Sequence, residues 1–281
     1  MTTICRTMRS NDIPSGLRLC RLNGWNQMNN DWELFLKLSP DNCRVVTENG
    51  KVIGSVTTIS YERKFSWIGM LLVDPSHQRK GIGKKLLNEA LHILRNEETV
   101  KLDATPAGRK LYTQLDFKDE YPLLRMQNIS LPAVTIDSTA TPLRKNDLLK
   151  IIAADTIIFG ANRKELLQWF WKSANEFAFI INENDSGIGY CLGRRGYHFN
   201  QIGPVVANNI SEAKQLVAAA LNSNFTKPVI IDTLLNNSKW IDWLKGIGFV
   251  EQRTFTRMYK GTNHYPGTPE KQFAIAGPEY G

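Results

Sequence analysis

The chain has 281 residues, 42% hydrophobic and 22% charged, enough for two ordinary domains with sizeable cores and too apolar for a disordered chain. Its net charge of +8 comes without a long Lys/Arg run, zinc-ligand spacing or an RNP-like aromatic motif, so no nucleic-acid partner is expected. No apolar run approaches a membrane span, MTTICRTMRSND lacks the apolar core of a signal peptide, and the four cysteines form no CxxC pair, so a cytoplasmic protein with reduced thiols and no membrane partner is expected.

Thr3–Met8 alternates like a short strand. Asp12 is placed to cap a helix running to about Leu22, and Asn30 to cap a second over DWELFLKL. Arg44–Glu48 and Val52–Tyr61 are β-branched runs joined by ENGK, a tight-hairpin signal. Phe65–Val73 reads as a third strand, and a helix follows from about Ile82 to Arg95. Then come the strand TVKLD, the helix AGRKLYTQL and an extended segment through Phe117–Met126.

The second half repeats this order. Phe65-Ser-Trp-Ile-Gly69 matches Phe199-Asn-Gln-Ile-Gly203, an offset of 199 − 65 = 134. Asp103 matches Asp232 at 129, Arg125-Met126 matches Arg257-Met258 at 132, and Asn11-Asp12 matches Asn146-Asp147 at 135. Four blocks in one order at nearly one offset imply a duplicated mixed-sheet α/β domain. The units are residues 1–130 and 135–260, with a boundary near ISLPAV (129–134) and a Gly/Pro/aromatic tail over 261–281.

HQRKGIG, at the start of the helix that opens at Ile82, is the motif with chemistry in it. A helix N-terminus leaves backbone N–H groups unpaired and carries partial positive charge. Gly81 and Gly83 clear the approach to that backbone. Lys84 and Lys85 oppose the helix dipole unless an anion sits there. A P-loop is excluded, because GxxxxGK[ST] does not occur. A dinucleotide-binding GxGxxG fails, because Leu86 stands at the third glycine and a strand meander precedes the loop.

Gln78-Arg79-Lys80-Gly81-Ile82-Gly83 satisfies every defined position of the GNAT acetyltransferase loop, Q/R-x-x-G-x-G/A. LLVDPSHQRKGIGKKLL and DATPAGRKLYTQLDF resemble that family's two core blocks, and the whole chain resembles a tandem GNAT protein with an intact first copy and a degenerate second one. The resemblance implies an acetyl-CoA-dependent N-acetyltransferase acting on a small-molecule amine. Leu71, Leu72 and Val73 would then face pantetheine, and Gln78, Arg79, Lys80, Gly81, Ile82, Gly83 and Lys84 would surround the pyrophosphate. Arg109 would reach the nucleotide end, and Tyr112 would protonate the leaving thiolate. No general base is evident, since Trp67 stands where some relatives carry a glutamate; Glu62 and Asp31 are the candidates. Trp25, Asn26, Gln27, Asp31 and Trp67 are the candidate acceptor residues. No metal is expected, since the four histidines show no ligand spacing.

The second copy reads NNISEAKQLVAAAL where the first has its glycine loop. Ser211 is expected to cap that helix, and no CoA is expected to bind there. A non-catalytic acyl-CoA sensor is the alternative function, which Tyr112 disfavours.

Overall fold

The computed structural model describes residues 3–130, 134–183, 187–223 and 227–281; residues 131–133 of the expected boundary lie outside these. The first half runs β1 (Thr3–Thr7), α1 (Ile13–Leu22), α2 (Asn29–Leu38), β2 (Arg44–Glu48), β3 (Lys51–Tyr61), β4 (Phe65–Val73), α3 (Ile82–Ile93), β5 (Thr99–Ala104), α4 (Pro106–Thr113) and β6 (Lys118–Asn128). ENGK turns as its residues dictate: Asn49 and Gly50 both take positive φ, which a two-residue hairpin loop needs. α2 starts two residues earlier than expected, at Asn29 with Met28 rather than Asn30 as its N-cap, because the Asp31 carboxylate turns back to accept the Met28 N–H at 2.6 Å.

The second half repeats the plan with β7 (Thr141–Pro142), α5 (Leu148–Phe159), α6 (Lys164–Ser173), β8 (Phe179–Glu183), β9 (Gly187–Arg194), β10 (Asn200–Val206), α7 (Ile210–Leu221), β11 (Val229–Leu234), α8 (Ser238–Gly246) and β12 (Val250–Gly261). Residues 272–274 add a short strand, β13. Ser211 does not cap α7; Asn209 does, its side chain accepting the Glu212 N–H at 3.0 Å.

All the described strands join one sheet, ordered β1-β2-β3-β4-β5-β12-β6-β11-β10-β9-β8-β7, with β13 on β10. The centre of that order is an exchange. The last strand of the second half, β12, pairs with β5 of the first, and the last strand of the first half, β6, pairs with β11 of the second. Two ion pairs cross with the strands. Arg257 on β12 holds Asp103 on β5 at 2.9 Å, and Arg125 on β6 holds Asp232 on β11 at 2.7 Å. The repeat makes Arg125 equivalent to Arg257 and Asp103 to Asp232, so each half supplies the arginine for the other half's buried aspartate.

Helices cover both faces. On one, α3 packs its apolar stripe (Ile82, Leu86, Leu87, Ala90) on β2, β3 and β4. On the other, α1 and α2 share a core with α5 and α6 of the second half. Gly16 allows the close approach of α1 to α2: a Cβ there would lie 2.9 Å from the Trp32 ring. Trp32 is fully buried in that core. Among the described residues no helix is long and apolar enough to cross a membrane.

Candidate active site

Parallel strands in the middle of a sheet that part company leave a gap lined with unpaired backbone. β4 and β5 are paired only at Ser66–Val100 and Trp67–Lys101 and diverge beyond them. β10 and β11 are paired through Ile202–Ile231 and then diverge in the same way. The two gaps differ in content. In the second half β13 fills the gap: it pairs with β10, Ile275 N–H donates to Asp232 O on β11 at 2.9 Å, and Phe273 O accepts from Thr233 Oγ1 and Trp240 Nε1. In the first half the gap opens into a cavity of about 300 Å³.

A bulge shapes the wall of that cavity. Thr57 faces Gly69 and Ser55 faces Leu72, so two residues, Met70 and Leu71, oppose one on β3. Met70 takes a positive φ of 47° to make the bend, and its carbonyl is held by Ser55 Oγ at 3.0 Å. The extra residue drops out of the ladder, and Met70 and Leu71 both line the cavity.

The glycine loop lies just beyond. Asp74 ties the chain down as it leaves β4: it accepts from Arg18 at 2.7 Å and from Ser76 N and Oγ. Arg79 and Gly81 then take positive φ, and Gly81 becomes the N-cap of α3 without a side chain capping it. A Cβ on Gly81 would meet nothing within 4 Å, so this helix start faces open space. Gln78, Arg79, Lys80 and Lys84 are exposed around it. An uncapped helix N-terminus ringed with cations fits the donor set a pyrophosphate needs. The matching helix, α7, is capped by Asn209, which accepts the Glu212 N–H, and its tip carries the Glu212 carboxylate, which accepts the Asn208 N–H. The hydrogen bond from Arg18 holds the Asp74 carboxyl well below the usual range. A depressed folded value means that this pair stabilises fully above about pH 4 and is lost as pH falls through the folded value. Asp74→Asn is therefore expected to lower stability at pH 7, and the difference from wild type should narrow in acid without vanishing, as read by denaturant unfolding at pH 7 and pH 2.

Tyr112 on α4 lines the cavity. It packs edge-on against Phe117 at 5.8 Å, and its hydroxyl has no hydrogen-bond partner among the described residues. Burial pushes its pKa up to about 12, so the phenol keeps its proton at neutral pH. Asp103, which also lines the cavity, is engaged by Arg257; burial raises its pKa and the arginine opposes that rise.

The remaining expected site residues divide. Leu71, Leu72, Gln78 and Trp25 line the cavity with Tyr112. Val73 has its carbonyl taken by Asn23 and Gln78, and Ile82 turns its side chain into the core. Arg109 is exposed and ion-paired to Asp119. Asn26, Gln27, Asp31 and Trp67 do not line the cavity, because each is committed elsewhere. Asn26 is bound to the backbone of His198 and Phe199, and Gln27 to Glu279. Asp31 is held by Arg194 and Tyr280, and Trp67 donates to Pro278 O at 2.9 Å. Glu62 lies at a different cavity, accepting the Asn162 N–H at 2.9 Å.

Two charged residues of the cavity wall escaped the sequence reading, Arg253 on β12 and Glu279. Arg253 had a signal, since the repeat aligns it with Tyr121 and so marks a departure between copies. Glu279 had none beyond its Gly/Pro-rich surroundings. After filling the second gap, the segment 275–281 runs between the halves to the first one. It passes both equivalent glycines: a Cβ on Gly203 would lie 2.1 Å from Ile275 O, and one on Gly69 2.9 Å from Glu279 O.

A split parallel pair with a bulged wall, an uncapped basic helix start and a protonated phenol come together around one cavity. The profile of the "Acetyltransferase (GNAT) family" matches residues 17–117, and that of an "Acetyltransferase (GNAT) domain" matches residues 151–274. The chain is 27% identical over 238 residues to the uncharacterized N-acetyltransferase YitH of Bacillus subtilis (strain 168), covering 83% of each. The crystal structure of a putative acetyltransferase from Pyrococcus horikoshii superposes with a TM-score of 0.82 at 23% identity, over 99% of this chain and 96% of that one. A tandem GNAT protein from the clavulanic acid biosynthesis pathway superposes with a TM-score of 0.63 at 14% identity, over 92% and 98%. The chain belongs to the GNAT superfamily of acyltransferases and carries its domain twice.

Proposed function

We propose that the chain is an acetyl-CoA-dependent N-acetyltransferase for a small amine, with one working site, in the first half. The contrast between the two gaps carries this reading. One gap is open beside an uncapped basic helix start, and the other is filled by β13 beside a helix capped by Asn209. The carrier supplies an activated acetyl thioester. The diverging edge of β4 at Leu71–Val73 holds its arm, and the N–H groups of Gly81–Lys84 meet the pyrophosphate. A backbone N–H at the bulge would stabilise charge on the thioester oxygen. The amine attacks as the neutral base, with its proton released to water or to a cavity group. The C–N bond forms, the C–S bond breaks, and Tyr112 gives its proton to the departing sulfur.

Calorimetry with acetyl-CoA at fixed salt, with CoA release over a panel of amines, tests the reading. Gly81→Glu puts an anion at the helix start and a side chain on a backbone at φ 82°. It is expected to weaken acetyl-CoA binding on the order of 100-fold. Unchanged affinity would remove the pyrophosphate assignment. Binding without turnover of any amine would favour a sensor.

A further inference from the structure

Two opposite charges at the cavity wall are incompletely matched: Arg253 has no counter-ion among the described residues, and Glu279 shares the one it has. Arg253, Phe255 and Arg257 alternate along β12 and face the same side of the sheet. Arg257 is paired with Asp103, and Phe255 packs 6.4 Å from Trp25. Arg253, half-buried with its guanidinium 5.9 Å from the Trp25 ring, has no hydrogen-bond or ion-pair partner among the described residues. Burial, and then the neighbouring Arg125, push its pKa down, against a smaller opposing pull from Asp232.

The carboxylate side is the converse. Glu279 is 2% exposed, and its Oε1 accepts from Gln27 Nε2 at 2.8 Å and from Arg194. Its Oε2 has no partner, nor does Gln27 Oε1 beside it. Asp31 and Glu279 share the single guanidinium of Arg194, so this buried cluster holds one more carboxylate than cation. An ammonium group brings three N–H donors and one positive charge, which match both deficits.

We infer that the acceptor is a small zwitterion, an amine that also carries a carboxylate, with Arg253 binding the carboxylate and Glu279 the amino group. This rests on the acetyltransferase reading and narrows its substrate. A simple amine or a polyamine would leave Arg253 unmatched, and a polyamine would set further positive charge beside it. The specificity of the first half's site then comes from second-half residues, brought to it by the exchanged β12 and by segment 275–281.

The test compares an amino acid with its carboxamide and its decarboxylated amine, across several side chains, by CoA release, with acetyl-CoA affinity measured in parallel by calorimetry. Wild type is expected to favour the amino acid on the order of 100-fold in kcat/KM. Arg253→Gln should close most of that gap through KM, with acetyl-CoA still bound, and Arg253→Lys should restore part of it. Equal or faster turnover of the decarboxylated amine overturns the inference. So does an equal loss on all three compounds in Arg253→Gln, or no turnover of any amino acid by protein that binds acetyl-CoA. Protein that does not bind acetyl-CoA overturns the acetyltransferase reading itself, and the inference with it.

Discussion

Tyr112→Phe is expected to lower kcat by about 100- to 1,000-fold while leaving KM for acetyl-CoA within about threefold, the range for losing one positioned acid. The substitution removes only a hydroxyl that has no hydrogen-bond partner among the described residues, and the ring keeps its contacts with Phe117 and Gly108. A fall in kcat therefore reports chemistry and not a damaged fold. The pH profile adds a second reading. With a pKa near 12, Tyr112 stays protonated through pH 10, so it should impose no alkaline fall in rate below that point. An alkaline limb near pH 8 that vanished in the phenylalanine variant would mean the phenol ionises in that range. Unchanged kcat would show that the thiolate gets its proton elsewhere.

Arg194→Met is expected to cost about 3–5 kcal/mol in urea unfolding. Arg194 is 1% exposed, donating to Asp31 at 2.7 Å, to Gln201 at 2.9 Å and to Glu279. Methionine replaces its stem but leaves two buried carboxylates without their cation. The two carboxylates come from opposite ends of the chain, α2 and segment 275–281, so the arginine is the point where the ends are joined through the second half. A loss below about 1 kcal/mol would mean that the cluster is solvated and carries no such burden.

Most elements could be read from the sequence because their signals are local. Asn-Gly at a hairpin, Gly81 opening α3 and the Val-Ile-Ile-Asp strand fix backbone conformation within a few residues. The loop was legible for the same reason, since its chemistry belongs to consecutive N–H groups. Partner choice was not local. β6 and β12 have the same residue spacing, and nothing in alternation says which neighbour each takes; the exchange follows from which edges are left unpaired. The acceptor wall failed similarly. Asn26, Gln27 and Asp31 were correctly seen as polar groups in one stretch, but their partners, His198, Glu279 and Arg194, lie at least 163 residues away. Polar side chains that look available in sequence were consumed by an interface that only the fold reveals.

The crossed strands also set a schedule for biosynthesis. When residues 1–130 have left the ribosome, β5 presents a bare edge, since its neighbour β12 begins 120 residues later, at Val250. The first half cannot gain its native β12 neighbour as it emerges; that edge must wait for almost the whole chain to be made. Pairings this distant in sequence form slowly. A half-made chain therefore carries a bare strand edge of the kind that pairs with other chains, and the native sheet is completed only after both copies have been translated and joined.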